Sequence, residues 1–301
     1  MASIRLANAP CSWGVLEFGL EGETYGYARV LDEMAQSGYL GTELGDWGFM
    51  PTDPAALQDE LQRRSLSLLG AFVPIALADP RAHAEGIATA VHVATLLAAV
   101  GASPFIVLAD NNGTVAARTQ NAGRILPEHG LDESRWKVFA RGAEAVADTV
   151  FHETGVRTVF HHHGAGFVET PAEVARFLDL VDPQKIGLCF DTGHYAFGGG
   201  DPLEALKTHW NRISHVHFKD CHPGVARDSR DQGWDYFESV RHGIFCELGK
   251  GAVNFPAILH ELQRHAYEGW IVVEQDVLPG MGSPLASAQR NREYLRSIGL
   301  D

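Results

Sequence analysis

The chain has 301 residues, of which 45% are hydrophobic and 21% charged, a balance typical of a soluble globular protein with a sizeable core. Its formal net charge of −14 repels phosphate backbones and anionic lipids, which argues against nucleic acid or a membrane surface as the main partner. The N-terminus shows no signal-peptide pattern, no apolar run reaches the length of a membrane span, and the four cysteines form no CxxC pair, so we expect a cytoplasmic protein.

Eight short apolar runs alternate with longer amphipathic stretches. The runs are typical of parallel strands buried on both faces, and they lie at 4–10, 39–44, 66–74, 104–110, 156–163, 186–191, 213–218 and 270–274. Helix-start signals occur between them, as in TPAEV from Thr170 and DPLEA from Asp201. Eight strand–helix units predict an α/β fold, a single (β/α)8 TIM barrel over residues 1–301. The alternative is an open doubly wound sheet, but no GxGxxG motif follows the first run.

Two connections are too long for simple turns. Residues 111–134 follow the fourth predicted strand, and residues 220–251 follow the seventh. Both leave the carboxyl ends of strands, where a barrel has its active site. We therefore interpret them as lids, with Arg227 and Trp234 of the second closing over a substrate. An insertion at the surface or at a homo-oligomer contact is the alternative.

Polar residues stand at the carboxyl ends of five predicted strands. They are Glu43; His161, His162 and His163; Asp191 and His194; His217, Lys219 and Asp220; and Glu274 and Asp276. Because successive strand side chains face opposite sides, His161 and His163 share one face. Carboxylates and imidazoles without thiolates suit Mn²⁺, Mg²⁺, Co²⁺, Fe²⁺ or Zn²⁺. Their convergence predicts a divalent-metal site, although each residue alone has a structural reading, such as a turn cap or an ion pair.

The order of these motifs resembles the xylose isomerase-like TIM-barrel family of sugar isomerases and epimerases. FDTGH at 190–194, HVHFKD at 215–220 and a glutamate closing the last strand carry the resemblance along nearly the whole chain. The resemblance implies a small sugar or cyclitol substrate and one divalent ion, with manganese or cobalt favoured. It places the metal ligands at Asp191, His217 and Glu274, with a fourth ligand from the fifth strand.

The fifth strand departs from that family pattern, because His161 stands where the epimerases and isomerases carry a glutamate. We expect His161 to be the fourth ligand and His163 a substrate contact or proton carrier, with the choice of ligand between them left open. The HHHG…VET stretch of residues 161–170 instead resembles the inosose dehydratases. That likeness implies a lyase that dehydrates an inosose-like ketone through an enediolate, with isomerisation or epimerisation as the alternative.

The expected catalytic residues follow from this chemistry. A base, Glu274 or a histidine, removes the proton next to the ketone, and an acid, His163, His194 or Lys219, protonates the departing hydroxyl. Lys219 has the alternative role of neutralising a neighbouring carboxylate.

Other residues are expected to form the substrate pocket. Glu43 would hydrogen-bond substrate hydroxyls, while Trp13 and Phe72 would line the pocket. Two competing classes remain: an endonuclease IV-like phosphoesterase, which would need two or three metal ions, and a non-catalytic sugar-binding barrel.

Overall fold

Parallel strands and helices alternate around a barrel in the computed structural model, which describes residues 4–15 and 25–301. The strands are β1 (Ile4–Asn8), β2 (Gly41–Thr42), β3 (Ser67–Leu68), β4 (Gly70–Ile75), β5 (Phe105–Asp110), β6 (Arg157–His161), β7 (Ile186–Asp191), β8 (Ile213–Phe218), β9 (Asp220–Cys221), β10 (Phe245–Cys246) and β11 (Gly269–Val273). Nine of them form one sheet in the order β3-β2-β1-β11-β8-β7-β6-β5-β4. The predicted TIM barrel is confirmed.

The third predicted strand is divided into β3 and β4 by Leu69. β3 pairs with β2, whereas β4 pairs with β5, so the two ends of the sheet meet at this residue. The N–H of Leu69 donates to the carbonyl of Thr42 at 3.0 Å, and its own carbonyl accepts from the N–H of Phe105 at 2.9 Å. Backbone hydrogen bonds therefore bridge the seam of the barrel.

Helices surround the sheet. They are α1 (Tyr27–Gln36), α2 (Pro54–Gln62), α3 (His83–Val100), α4 (Ala116–Gln120), α5 (Glu133–Thr154), α6 (Pro171–Leu180), α7 (Thr192–Phe197), α8 (Pro202–His209), α9 (Pro223–Gln232), α10 (Tyr236–Arg241), α11 (Phe255–Arg264) and α12 (Pro284–Ser297). The predicted helix starts are real, since Thr170 caps α6 in a capping box and Asp201 caps α8. Among the described helices, α3 has the length and apolar composition of a membrane span, and it packs against α5, β4 and β5 as an outer barrel helix.

The long 220–251 connection folds into β9, α9, α10 and β10. Asp220 anchors its end, because its carboxylate accepts the backbone N–H groups of Gly249, Gly251 and Val253 at 2.9, 2.8 and 3.1 Å. A Cβ atom at Gly251 would lie 2.1 Å from Oδ1 of Asp220, so this close approach requires glycine. Asp220 thus holds the connection against the barrel.

Candidate metal centre and active-site cavity

Four side chains bring potential metal-ligand atoms together at the carboxyl end of the barrel. His161 and Asp191 end β6 and β7, His217 lies in β8, and Glu274 follows β11. One ligand atom from each lies within 4.8 Å of the others, and all four residues are buried. Oδ2 of Asp191 lies 3.6 Å from Nε2 of His161 and 3.8 Å from Nδ1 of His217, which is 3.2 Å from Oε1 of Glu274. The four residues that the sequence predicts as metal ligands therefore form one cluster.

The chemistry of these atoms fits a divalent cation. Oδ2 of Asp191 and Nδ1 of His217 are buried and have no hydrogen-bond partner among the residues that the structure describes. Leaving a buried carboxylate oxygen unpaired costs several kcal/mol, at about the level of a broken buried ion pair. Metal bonds of about 2.0–2.3 Å place neighbouring ligand atoms roughly 3–4 Å apart. Two imidazoles and two carboxylates also form a donor set typical of divalent transition metals.

Glu43 fixes the orientation of His217. Oε1 of Glu43 accepts hydrogen bonds from Nε2 of His217 at 3.0 Å and from Nε2 of His215 at 2.8 Å. Burial alone would raise the pKa of Glu43, but the charge of His217 and the two hydrogen bonds hold it well below its usual value. The ionised carboxylate leaves Nδ1 of His217 to face Asp191 and the centre. Glu43, which we predicted to bind substrate, lines the cavity and also orients a candidate ligand.

The three consecutive histidines lie in two environments, as strand alternation predicts. The rings of His161 and His163 both contact Phe72, at centroid distances of 5.9 and 6.1 Å. These two histidines and Phe72 line the cavity. His162 faces the other way, where its Nε2 accepts from the N–H of Asp191 at 3.3 Å. Burial lowers the pKa of His161 and of His162 to about 3, so both are neutral imidazoles.

The positively charged side chain of Lys219 lies in the wall of this cavity. The polar part of the lining consists of Glu43, Asp46, His161, His163, Lys219, Glu274 and Asp276. Nζ of Lys219 is 3.2 Å from Oε2 of Glu274 and 3.2 Å from Oδ1 of Asp276. Burial opposes the charge, but Asp276 and Glu274 raise the pKa of Lys219 well above its usual value. Lys219 is therefore an ammonium group that neutralises carboxylates and also faces the cavity.

The backbone of Gly164 fixes the proton positions on two neighbouring histidines. Nδ1 of His163 donates to the Gly164 carbonyl at 2.8 Å, and the Gly164 N–H donates to Nδ1 of His194 at 3.2 Å. Burial lowers the pKa of both imidazoles well below the usual value, so both are neutral. Nε2 of His163 is consequently left as an acceptor, and the residue lines the cavity. The His194 ring is tilted by 36° against that of His163, with centroids 3.9 Å apart, and it lies behind the cavity wall beside Lys219.

Three residues expected to bind substrate lie away from the cavity, as far as the described residues define its lining. Trp13 is in the core, where its indole N–H donates to Glu33 on α1 at 2.7 Å. Arg227 is on the outer face of α9, with 68% of its side chain exposed. Trp234 stacks on His242 with ring centroids 3.9 Å apart. Trp13 therefore satisfies its polar atom inside the core, Arg227 is exposed, and Trp234 is half-buried against His242.

Sequence reasoning missed other residues of the cavity. Pro10, Cys11 and Val15 come from the segment after β1, and Tyr236 comes from the start of α10. The APCS sequence of residues 9–12, directly after β1, was the available signal for the first group, because its position places it at the carboxyl-end rim of the barrel. Nothing in the sequence distinguishes Tyr236 from its aromatic neighbours.

The FDTGH and HVHFKD motifs are joined by contacts just beyond the ends of β7 and β8. The hydroxyl of Thr192 donates to the carbonyl of Lys219 at 2.7 Å and accepts from the Lys219 N–H at 3.0 Å. A Cβ atom at Gly193 would lie 2.5 Å from Cγ of Lys219. Thr192 and Gly193 therefore set the position of Lys219. These contacts give a structural reason for a threonine and a glycine between Asp191 and His194.

The loop that carries His163 is held by buried carboxylates. Glu169 accepts the N–H groups of Gly123 and Ala165, each at 2.7 Å. Burial raises the pKa of Glu169 to about 7, although these hydrogen bonds oppose the shift. In α6, which follows this loop, Glu173 forms an ion pair at 2.7 Å with the buried Arg118 of α4. Together these contacts link the loops that follow β5 and β6.

Comparison with known proteins agrees with this architecture. The chain is 31% identical over 293 residues to an inosose dehydratase of Lacticaseibacillus casei, covering 97% of this chain and 96% of that protein. It is 36% identical over 299 residues to the rhizopine catabolism protein MocC of Rhizobium meliloti, covering 98% and 88%. The crystal structure of the IOLI protein with a binding zinc atom has a TM-score of 0.70 at 17% identity, covering 98% of each chain. The family model for the xylose isomerase-like TIM barrel matches residues 31–298, and the chain belongs to that family.

Proposed function

We propose that the protein is a divalent-metal-dependent dehydratase that acts on an inosose-like polyhydroxylated ketone. The convergence of His161, Asp191, His217 and Glu274 beside a cavity that also contains Lys219 carries the proposal. The curated relatives named inosose dehydratase support the substrate class and the reaction. Solved structures of low identity support the fold alone.

The four ligands suit an ion that acts as a Lewis acid. When bound, a divalent cation, for which we favour manganese or cobalt, would polarise a substrate ketone. His161 contributes no negative charge to the shell, whereas a glutamate in its place would contribute one. The neutral imidazole therefore leaves more of the positive charge available to the substrate.

We assign the two proton transfers to the groups that face the cavity. His163 removes the proton from the carbon next to the ketone, because its Nε2 is held as an acceptor. Lys219 gives a proton to the hydroxyl on the following carbon, so that this group leaves as water. As the C–H and C–O bonds break, a double bond forms between the two carbons. Proton exchange with solvent returns both residues to their starting states.

This assignment revises the expected roles of two residues. His163 was expected to be able to act as the acid, but its Nδ1 proton is committed to a carbonyl, so it serves better as the base. Glu274 was expected to be able to act as the base, but its two oxygens approach His217 and Lys219. We propose that Glu274 binds the metal and holds Lys219 in place.

The phosphoesterase alternative has less support from the site. The three potential metal-binding groups found among residues 4–15 and 25–301 all contain His217. Such overlap favours a single centre over two or three separate ions. Hydrolysis of bis(p-nitrophenyl) phosphate by the metal-loaded protein would reverse this preference.

The reaction can be tested by product identification. Protein loaded with Mn²⁺ is incubated with an inosose in D₂O, and products are followed by NMR and ultraviolet absorbance. An enone or diketone product supports the proposal, whereas deuterium at the α-carbon of an isomerised, fully hydrated product would establish an isomerase instead. Lys219→Met should lose more of the water-loss reaction than of the α-deuterium exchange, because His163 remains as the base. Lys185→Met, which alters a surface ion pair with Asp148, is the matched control.

A further inference from the structure

The 220–251 insertion reaches the cavity through Tyr236. This residue is the first of α10 and follows the N-cap Asp235, whose side chain accepts from the N–H of Glu238 at 2.8 Å. The side chain of Tyr236 is 1% exposed and lines the cavity. A rigid helix start therefore carries an aromatic ring to the site.

Two glycines from neighbouring loops leave space for the first two side chains of α10. A Cβ atom at Gly164 would lie 2.8 Å from Cε2 of Tyr236, and one at Gly113 would lie 2.8 Å from Cζ of Phe237. Gly113 also has a φ of +76°, which favours glycine. Both rings thus occupy places that only glycine leaves open. Because the loops after β5 and β6 supply these glycines, the position of Tyr236 is fixed relative to the strand ends.

The cavity that Tyr236 lines has both apolar and polar parts. The ring of Tyr236 meets His163 edge-on at a centroid distance of 5.6 Å. Pro10, Val15 and Phe72 supply other apolar parts of the lining, whereas Lys219 and the carboxylates supply the polar part. A cyclic polyol ketone has matching surfaces, since hydroxyl groups project around its ring and C–H groups cover its faces. An open-chain ketose has no rigid C–H face to place against an aromatic ring.

We propose that Tyr236 is a specificity-determining residue that selects cyclic over open-chain polyhydroxylated ketones by packing its ring against a C–H face of the substrate. The inference rests on the proposed function for the reaction and adds the basis of substrate choice. The aromatic ring makes this contact in both the bound substrate and the transition state, so its loss raises KM more than it lowers kcat.

The test compares an inosose with erythrulose, a ketose too short to close a stable ring. For Tyr236→Ala we expect KM for the inosose to rise about tenfold or more with kcat within about threefold, and the preference for the inosose to fall about tenfold or more. Tyr236→Phe keeps the ring and should keep the preference within about threefold. The Mn²⁺ content of both variants should equal that of the wild type.

Phe237→Ala is the matched control, because it removes a neighbouring ring of the same helix that is seated on Gly113. It should destabilise α10 without changing the substrate preference. An equal loss of preference in this variant, or an equal rise in KM for both substrates in Tyr236→Ala, would overturn the proposal. Tyr236→Leu provides the same comparison where the alanine variant fails to fold.

Failure of the proposed function would be recognised separately. It would appear as an absence of water loss from the inosose with the wild-type protein. Calorimetric binding of the two ketones to metal-loaded wild type and variants still measures the preference in that case. A preference that is equal in wild type and Tyr236→Ala would then reject the role of Tyr236.

Discussion

The Nε2–H group of His217 donates to Oε1 of Glu43 across 3.0 Å, which leaves Nδ1 of His217 facing Asp191 and Glu274. A carboxylate in this position makes the imidazole a stronger ligand and holds its ring in place. Glu43→Gln preserves the shape but removes the negative charge. We expect its Mn²⁺ affinity to fall about 10- to 100-fold, measured by calorimetric titration.

Glu33→Gln is the control for this variant, because Glu33 is also a buried carboxylate but binds Trp13 and Arg29. Its Mn²⁺ affinity should stay within about threefold of the wild type. Equal affinity in Glu43→Gln and in the wild type would show that Glu43 does not orient the ligand.

Asp191 uses its two oxygens for different purposes. Oδ1 accepts the N–H of His194 at 2.7 Å and caps α7, whereas Oδ2 faces the centre. Asp191→Asn keeps a capping oxygen and should fold with nearly unchanged thermal stability, but its Mn²⁺ affinity should fall at least about 100-fold. Asp191→Ala should lose the cap as well, at a further cost of about 0.5–2 kcal/mol. Tight metal binding by the asparagine variant, with Asp201→Asn as the capping control, would contradict the ligand assignment.

Arg227 and Trp234 should contribute little to turnover, because neither belongs to the cavity lining among the described residues. Arg227→Ala and Trp234→Ala should each change kcat/KM by less than about threefold. Trp234→Ala should reduce the free energy of unfolding by about 1 kcal/mol, since it loses the stack on His242. Steady-state kinetics and urea unfolding check both statements, and a loss of tenfold or more in kcat/KM would restore the lid interpretation of these two residues.

Glu169 should make stability depend on pH. Burial raises its pKa from 4.5 to about 7 in the folded chain, so folding takes up a proton between these values. Its favourable contribution is complete below pH 4.5 and is lost as the pH rises to about 7. Across this interval the free energy of unfolding of the wild type, measured in urea, should therefore fall by about 3 kcal/mol relative to that of Glu169→Gln. A difference that stays constant with pH would contradict the shift.

The cluster of candidate ligands was predictable because the geometry of parallel strands leaves few choices. The carboxyl ends of barrel strands meet at one rim, and alternation along β6 places His161 and His163 together with His162 opposite. Asp191 and His217 follow from the same rule. The broken third strand was not predictable, because the division at Leu69 depends on how the barrel closes.

Residues on insertions were harder to predict, because their direction depends on contacts between distant segments. Trp234 and Tyr236 are two positions apart, but only Tyr236 belongs to the cavity lining among the described residues. The difference follows from the start of α10 and from the space at Gly164. Trp13 was expected in the pocket and lies in the core for a similar reason, since its partner Glu33 lies on α1. The proton positions on His163 and His194 depend on a backbone conformation that no residue pattern reveals.

The contacts of Thr192 and Gly193 with Lys219 have an evolutionary consequence. A relative that gains a larger residue at position 193 has no room for a lysine at 219 in the same rotamer. One that loses the hydroxyl at 192 leaves two backbone groups of residue 219 without their partner. These three positions should therefore change together among homologous proteins, and relatives with a different residue at 219 are the ones in which other chemistry should be sought.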